Sequence, residues 1–189
     1  MTGKAPAREA RESVVLLDSA HREIGTALKS EVHTSTTPLH LAFSCHVFAQ
    51  DGRVLVTRRS LDKQAWPGVW TNSVCGHPAP GEPVQEAVRR RARFELGMEL
   101  GSVREVLPDF AYRAEDASGI VENEFCPVHF AQAAGRPEPR GSEVAEYQWV
   151  DPADLAAAVS ATPWAFSPWL VLQLGELAAR GIEYTAPGS

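Results

Sequence analysis

Two glutamates, Glu122 and Glu124, are separated by a single residue in the segment VENEF. On a β-strand successive side chains alternate between faces, so this spacing aims both carboxylates at one place. Unless exposed, such a pair needs a cation to offset its mutual repulsion. Three histidines have the chemistry to share that cation: His33 and His40, seven positions apart across a threonine-rich segment, and His77, two positions after Cys75 in NSVCGHP. Three imidazoles with two carboxylates suit a borderline divalent ion such as zinc or manganese better than calcium, which prefers oxygen. Each residue alone is a weak signal, because a lone histidine is more often a core or surface residue than a ligand. Spacing along the chain does not by itself bring the five together.

A second group of charges lies on a helix. GEPVQEAVRRRARFELG reads as helical over about 83–96, with Pro83 in the first turn, where a missing N–H costs little, and Gly97 as the terminating residue. At about 100° per residue, Val84, Ala87, Val88, Phe94 and Met98 form one apolar stripe that faces the core. Arg91 and Glu95 fall in the middle of that stripe, whereas Gln85, Glu86, Arg89, Arg90 and Arg93 fall outside it. One account is an i,i+4 ion pair that satisfies itself, although burying it costs more than it returns unless further partners exist. The other account makes this face the lining of an anion and metal site, with Glu95 a divalent-cation ligand and Arg91 a phosphate clamp.

These residues must be positioned by the elements around them. A chain of 189 residues with 44% apolar side chains can bury one substantial core, so a single domain is expected over 13–182, with flexible tails at 1–12 and 183–189. SVVLLDSAHREIGTALK reads as a hairpin turning around Asp18 to Arg22. Asp51-Gly52 joins a second hairpin, with strands near 41–49 and 53–59. After the helix, VREVLPDFAYRA and GIVENEFCPVHFAQA read as one strand each. The Gly/Pro loop AAGRPEPRGSE then leads to the strand EYQWV. DPADLAAAVS and SPWLVLQLGELAAR read as the last helices, the second with Pro168 in its first turn. Interleaved helices and hairpins imply a mixed sheet, hence an α/β sandwich and not a purely parallel fold.

Composition narrows the partners. A formal net charge of -6 gives no general field for nucleic acid or an anionic membrane, so an anionic substrate must be met by locally placed cations. Three widely spaced cysteines suggest neither a disulfide framework nor a CxxC zinc site. The first thirteen residues lack the apolar run of a secretory signal, and no stretch approaches the roughly 20 apolar residues of a membrane span. A cytoplasmic protein is expected, with no nucleic acid or membrane partner; the oligomeric state is left open. Cys45, Cys126, His21, His46 and His129 carry no motif and read as structural or exposed.

Gly76, five residues, Glu82, seven residues, Arg90 and then Arg91-Ala92-Arg93-Phe94-Glu95-Leu96-Gly97-Met98 resembles the loop-helix-loop signature of the Nudix superfamily. The usual box carries glutamates where this chain has Arg91 and Phe94. Those glutamates gather the metals that activate water in Nudix diphosphohydrolases, so the resemblance implies the fold without the hydrolysis. PLHLAFSCHVF, VTRRSLDKQAWPGVWTNSVCGHP, GIVENEFCP and ATPWAFSPW, spread over roughly residues 14–172, resemble the signature segments of type I isopentenyl diphosphate isomerases. WTNSVCGHP and the ENE triplet are specific to that family.

The resemblance implies a Nudix-like α/β/α sandwich with a mixed sheet and an N-terminal β-hairpin extension, acting on a small-molecule diphosphate by a proton shift. His33, His40, His77, Glu122 and Glu124 would hold one divalent metal, manganese or zinc, and Glu95 a magnesium ion arriving with the diphosphate. Cys75 and Glu124 would be the catalytic pair, with Tyr112 hydrogen-bonded to Glu124. Lys29, Arg59, Lys63 and Arg91 match diphosphate-binding positions, and Trp169 would face the hydrocarbon end. Two rivals are a Nudix hydrolase, which would need the box glutamates, and a non-catalytic metal-binding module, which would be expected to lack Cys75 or the ENE triplet.

Overall fold

The computed structural model describes residues 12–188, so the tail expected over 1–12 lies, Glu12 apart, outside the described residues. The chain opens on a hairpin of β1 (Ser13–Leu17) and β2 (Glu23–Leu28). Its turn is the expected one: the Asp18 carboxylate accepts from the amides of Ala20 and Arg22, each at 2.9 Å. One helical turn, α1 (Lys29–Val32), follows. Next come β3 (His40–Leu41), β4 (Phe43–Phe48), β5 (Val54–Arg59), β6 (Trp70–Thr71) and β7 (Val74–Gly76). Then α2 (Val84–Leu96) leads to β8 (Leu100–Leu107), β9 (Ala111–Glu115), β10 (Val121–Phe125), β11 (Val128–Ala133) and β12 (Val144–Val150). The helices α3 (Pro152–Ala161) and α4 (Pro168–Ala179) complete the order.

The strands form two sheets, one ordered β2-β1-β3-β10-β9 and the other β12-β5-β4-β11-β8, with β6 attached to β5 and β7 to β4. Both are mixed: β3 runs parallel to β10 and β4 parallel to β11, while the other pairs are antiparallel. Three stretches that read as single strands are each broken in two. The breaks at Pro108 and Pro127 follow from the missing N–H, which leaves a ladder bond unmade. The break at Ala42 has a tertiary cause. Its amide donates to Phe125 at 2.8 Å, while that of Ser44 donates to Pro127 at 3.1 Å, so neighbouring chains step together from one sheet to the other.

Helices cover both faces of the larger sheet. On β4, Phe43, Cys45 and Val47 pack with Ala87, Val88, Ala92 and Leu96 of α2, whereas Phe48 packs with Leu155, Val159, Leu170, Leu174 and Leu177 of α3 and α4. This is the expected α/β/α sandwich, and β4 at its centre is buried along its whole length. Among the described residues, no helix is long and apolar enough to cross a membrane.

Three details depart from the sequence expectation. Pro83 caps α2 from outside and does not lie in its first turn. Phe94 leaves the apolar stripe: it is half-buried, its ring stacked between the guanidinium groups of Arg91 at 4.8 Å and Arg140 at 4.1 Å. Tyr184, in the segment expected to be free, packs its ring against Phe48 and Phe130, with centroids 5.4 and 5.5 Å away. Gly97 ends α2 as expected, in a left-handed conformation at φ 60°, where a Cβ would also lie 2.6 Å from the Glu138 carbonyl oxygen.

Candidate active site

A cavity of about 540 Å³ is lined from both sheets, α1, α2 and α4. At one end Glu124 on β10 stands opposite His40 on β3 and opposite Tyr112 on β9. Strand register therefore divides its oxygens: Oε1 lies 3.6 Å from His40 Nε2 and 3.1 Å from His77 Nε2, while Oε2 accepts from the Tyr112 hydroxyl at 2.9 Å. Two residues earlier, Glu122 faces the same cavity, its Oε2 3.1 Å from His33 Nε2. The intervening Asn123 donates to the Thr37 carbonyl at 3.1 Å.

The three imidazoles crowd together with ring centroids 5.0–5.5 Å apart. One ligand atom from each of His33, His40, His77 and Glu124 lies within 4.8 Å of the others. His40 Nδ1 is 2.9 Å from the Pro38 carbonyl, to which it can only donate, so Nε2 is the nitrogen that faces the cluster, 3.2 Å from His77 Nε2. His33 Nε2 and Glu122 Oε2, although close, are not in hydrogen-bonding geometry, and His77 Nδ1 also has no partner.

Burial would lower His40, but the hydrogen bond to Glu124 and its charge raise it. Burial pushes His77 down to about 3, leaving it neutral, the form that binds metals. Burial raises Glu122, and the charge of Glu124 raises it further. Burial would raise Glu124 too, but hydrogen bonds from His40 and His77 hold it well below the usual carboxylate range. Imidazoles and carboxylates converging on one place fit a divalent cation, and this nitrogen and oxygen set is one that borderline metals accept.

Cys75 on β7 stands opposite Ser44 on β4, with Sγ 3.3 Å from Ser44 Oγ and 3.2 Å from Asn72 Oδ1. Burial pushes its thiol up to about 12, so it is protonated. Trp169, at the start of α4, lines the cavity and is anchored by its indole N–H, which donates to Asn72 Oδ1 at 3.0 Å. The Trp169 ring packs beside Tyr112, centroids 5.7 Å apart, and carries the Arg59 guanidinium at 5.4 Å.

The opposite end is cationic. Arg91 lies on the buried face of α2 with its side chain 3% exposed. Its Nε donates to Glu95 Oε1 at 2.9 Å, one Nη lies 3.3 Å from Glu143 Oε2, and the other lies 3.6 Å from Glu12 Oε1. Lys63 shares the same Glu143 oxygen, and Lys29 donates to Glu12 at 2.8 Å. Arg59 is held by the Ala65 carbonyl, 2.8 Å from Nη2. Gly76 makes room for this arrangement, because a Cβ there would stand 2.8 Å from Arg91 Cγ. The i,i+4 pair and the site lining are thus one structure: the pair forms, and its further partners are cavity residues.

The NUDIX domain family matches residues 38–170. An isopentenyl-diphosphate Delta-isomerase of Agromyces mediolanus is 67% identical over 162 residues, which span 86% of this chain and 79% of that protein. The isomerase of Kocuria rhizophila is 62% identical, with 89% and 94% covered. The chain belongs to the isopentenyl-diphosphate Delta-isomerase family. Among solved structures, DR0079 of Deinococcus radiodurans shares the fold at a TM-score of 0.67 and 22% identity, covering 87% of this chain and 98% of that one.

Of the site residues that the isomerase signature implies, Lys29, His33, Arg59, Lys63, Cys75, His77, Arg91, Glu95, Tyr112, Glu122, Glu124 and Trp169 line this cavity. His40 does not; it is fully buried behind His77 and Glu124. Glu95 stands at the cationic end with Arg91, apart from the four-residue histidine cluster. Glu12, Glu143, Ser44 and Asn72 were not singled out from sequence. Asn72 lies inside the WTNSVCGHP segment, which was a usable signal, whereas Glu143 follows a Gly/Pro loop with no periodicity to mark it.

Proposed function

We propose that this protein interconverts isopentenyl diphosphate and dimethylallyl diphosphate by a 1,3-allylic proton shift, a step of isoprenoid biosynthesis. The observation that carries the reading is the joint opening of Cys75 and of the Tyr112–Glu124 pair into one cavity with a cationic end. An isolated alkene has no group to stabilise a carbanion, so proton addition to a tertiary carbocation is the accessible route. One carbon gains a proton, another loses one, and the composition is unchanged. Cys75 and the Tyr112–Glu124 pair are the groups that exchange those protons. Trp169 offers its ring face to the cation, worth about 2 kcal/mol when desolvated.

Lys29, Arg59, Lys63 and Arg91 would hold the diphosphate, and Glu95 would hold the magnesium ion that accompanies it. His33, His40, His77, Glu122 and Glu124 would hold a manganese or zinc ion. When bound, that ion supplies a fixed positive charge that makes the Glu124 carboxyl a stronger acid. A hydrolase is disfavoured because Arg91 and Phe94 occupy positions of box glutamates. A cytoplasmic location is supported by Cys45, Cys75 and Cys126, all free thiols. The substrate is the partner proposed; no nucleic acid or membrane is needed.

The test supplies isopentenyl diphosphate and a divalent metal in heavy water and follows deuterium into the product. Cys75→Ala and Glu124→Gln are each expected to lower turnover by roughly 10²–10⁴-fold, the range of a general acid–base group, with the circular dichroism unchanged. Phosphate release without exchange would favour hydrolysis instead. A near-wild-type rate in metal-loaded Cys75→Ala would remove that residue from the mechanism.

A further inference from the structure

Behind Cys75, on the side away from the cavity, a chain of buried polar groups runs through Ser44, Gln173 and His46 to Tyr184, and the proton shift described above does not use it. Its direction is set at the near end. The Trp169 indole, which can only donate, delivers to Asn72 Oδ1 at 3.0 Å, and Asn72 Nδ2 donates to the carbonyls of Cys45 and Val74, each at 3.1 Å. The amide is therefore oriented with Oδ1 toward Cys75 Sγ, 3.2 Å away, and accepts the thiol proton.

Each link then follows from the one before. With its proton committed to Asn72, Sγ presents a lone pair to Ser44 Oγ at 3.3 Å, so Ser44 donates to it. Ser44 Oγ in turn accepts from Gln173 Nε2 at 2.8 Å. Gln173 Oε1 thus faces His46 Nε2 at 3.0 Å, which carries the ring proton, and His46 Nδ1 accepts from the Tyr184 hydroxyl at 2.7 Å. Cys126 is the other sulfur near Ser44, but at 3.5 Å it is the more distant acceptor. Ser44, His46 and Gln173 are each 0% exposed, so water cannot substitute for a missing partner. Burial also pushes His46 down to about 4, which keeps the ring neutral with one donor and one acceptor, as the chain requires.

We propose that Gln173 is a positioning residue for the proton shift: acting through Ser44, it holds the Cys75 thiol with its proton on the Asn72 side and a lone pair on the Ser44 side. A carboxamide does not pass protons along, so the chain sets the direction of the thiol and does not supply it. The proposal rests on the reading of Cys75 as a proton-exchanging residue.

Two measurements test it. Gln173→Met keeps the volume and removes both hydrogen bonds; kcat should fall about tenfold, the factor equivalent to about 1.4 kcal/mol or one hydrogen bond, while KM is unchanged. In a Ser44→Ala background the same substitution should cost nothing more, because its intermediary is gone. Unchanged kcat, a raised KM with kcat kept, or additive losses would overturn the proposal. If metal-loaded Cys75→Ala still turns over, the reading of Cys75 has failed; if it is inactive and Gln173→Met is not impaired, the positioning role alone has failed. Independently of any variant, nitrogen-15 spectra of the wild-type metal-loaded protein should show His46 as the Nε2–H tautomer. The Nδ1–H tautomer would reverse the links from Tyr184 through Gln173 to Ser44 and sink the idea.

Discussion

The two ends of the cavity bury charge in opposite ways. At the cationic end Lys29, Lys63 and Arg91 face Glu12, Glu95 and Glu143, and among the described residues only one buried Arg91 nitrogen lacks a hydrogen-bond partner. At the other end Glu122 and Glu124 face imidazoles, and His33 Nε2, His77 Nδ1 and Glu122 Oε2 have no hydrogen-bond partner. Among the described residues, the first end pairs its charges with protein groups; the second gathers ligand atoms that could hold a cation. On the proposed reading, a diphosphate entering the first end would exchange with carboxylates already on the arginine and lysines, and a divalent ion travelling with it would give those carboxylates a new partner. An ion at the histidine end would need no such exchange, so it would be resident before substrate arrives.

If this contrast is right, removing a charge has opposite consequences at the two ends. In protein freed of metal, Arg91→Leu leaves Glu95 and Glu143 buried without their shared cation and should cost about 3–5 kcal/mol, seen as a lower denaturation midpoint. Glu122→Gln in the same metal-free protein removes a charge that burial and the neighbouring Glu124 both disfavour, and should leave the midpoint unchanged or higher. Equal losses from both substitutions would mean that the histidine end is balanced without an ion.

Stripping the metal from wild-type protein is the next largest effect. A resident ion at a free concentration 100 times its Kd adds about 2.7 kcal/mol, which corresponds to roughly 5–10 °C in Tm for a chain of this size. Chelation should therefore lower Tm by about that amount, and manganese or zinc should restore it in wild type but not in His77→Ala. A Tm indifferent to chelation, in protein shown by elemental analysis to have started with one ion, would place that ion elsewhere.

The same contrast explains what could be read from the sequence. Pairing of Glu122 with Glu124 needs only the two-residue period of a strand, and the anomaly of Arg91 and Glu95 needs only the helical period; both are local, and both appear as expected. Convergence is not local. Glu124 meets His40 and Tyr112 through the registers of β3, β9 and β10, and Cys75 meets Ser44 through that of β7 against β4, none of which periodicity specifies. The strand breaks divide likewise: Pro108 and Pro127 announce two of them, whereas the break at Ala42 exists because Phe125 accepts its amide proton. Tyr184 gave no packing signal because its partners, His46 and Phe130, lie far back in the chain.

Phe94 offers the smallest and most selective test, because it belongs to the cationic end by position but not by charge. It stands where the Nudix box has a glutamate, and its ring lies between Arg91 and Arg140 at 4.8 and 4.1 Å. Arg140 is tied to the end of α2 by backbone as well, its amide donating to the Glu95 carbonyl at 2.8 Å and its Nε to the Phe94 carbonyl at 3.2 Å. The ring therefore acts as an apolar wall that fixes a guanidinium without neutralising it. Phe94→Ala should lose about 1–2 kcal/mol of stability, the size of one or two exposed cation–π contacts together with the packing they accompany. Turnover and bound metal should be little changed, since Glu95 and Glu143 still hold Arg91. A marked rise in the magnesium requirement of Phe94→Ala, with stability intact, would show that the ring positions the diphosphate site itself and that the cationic end is less self-sufficient than its ion pairs imply.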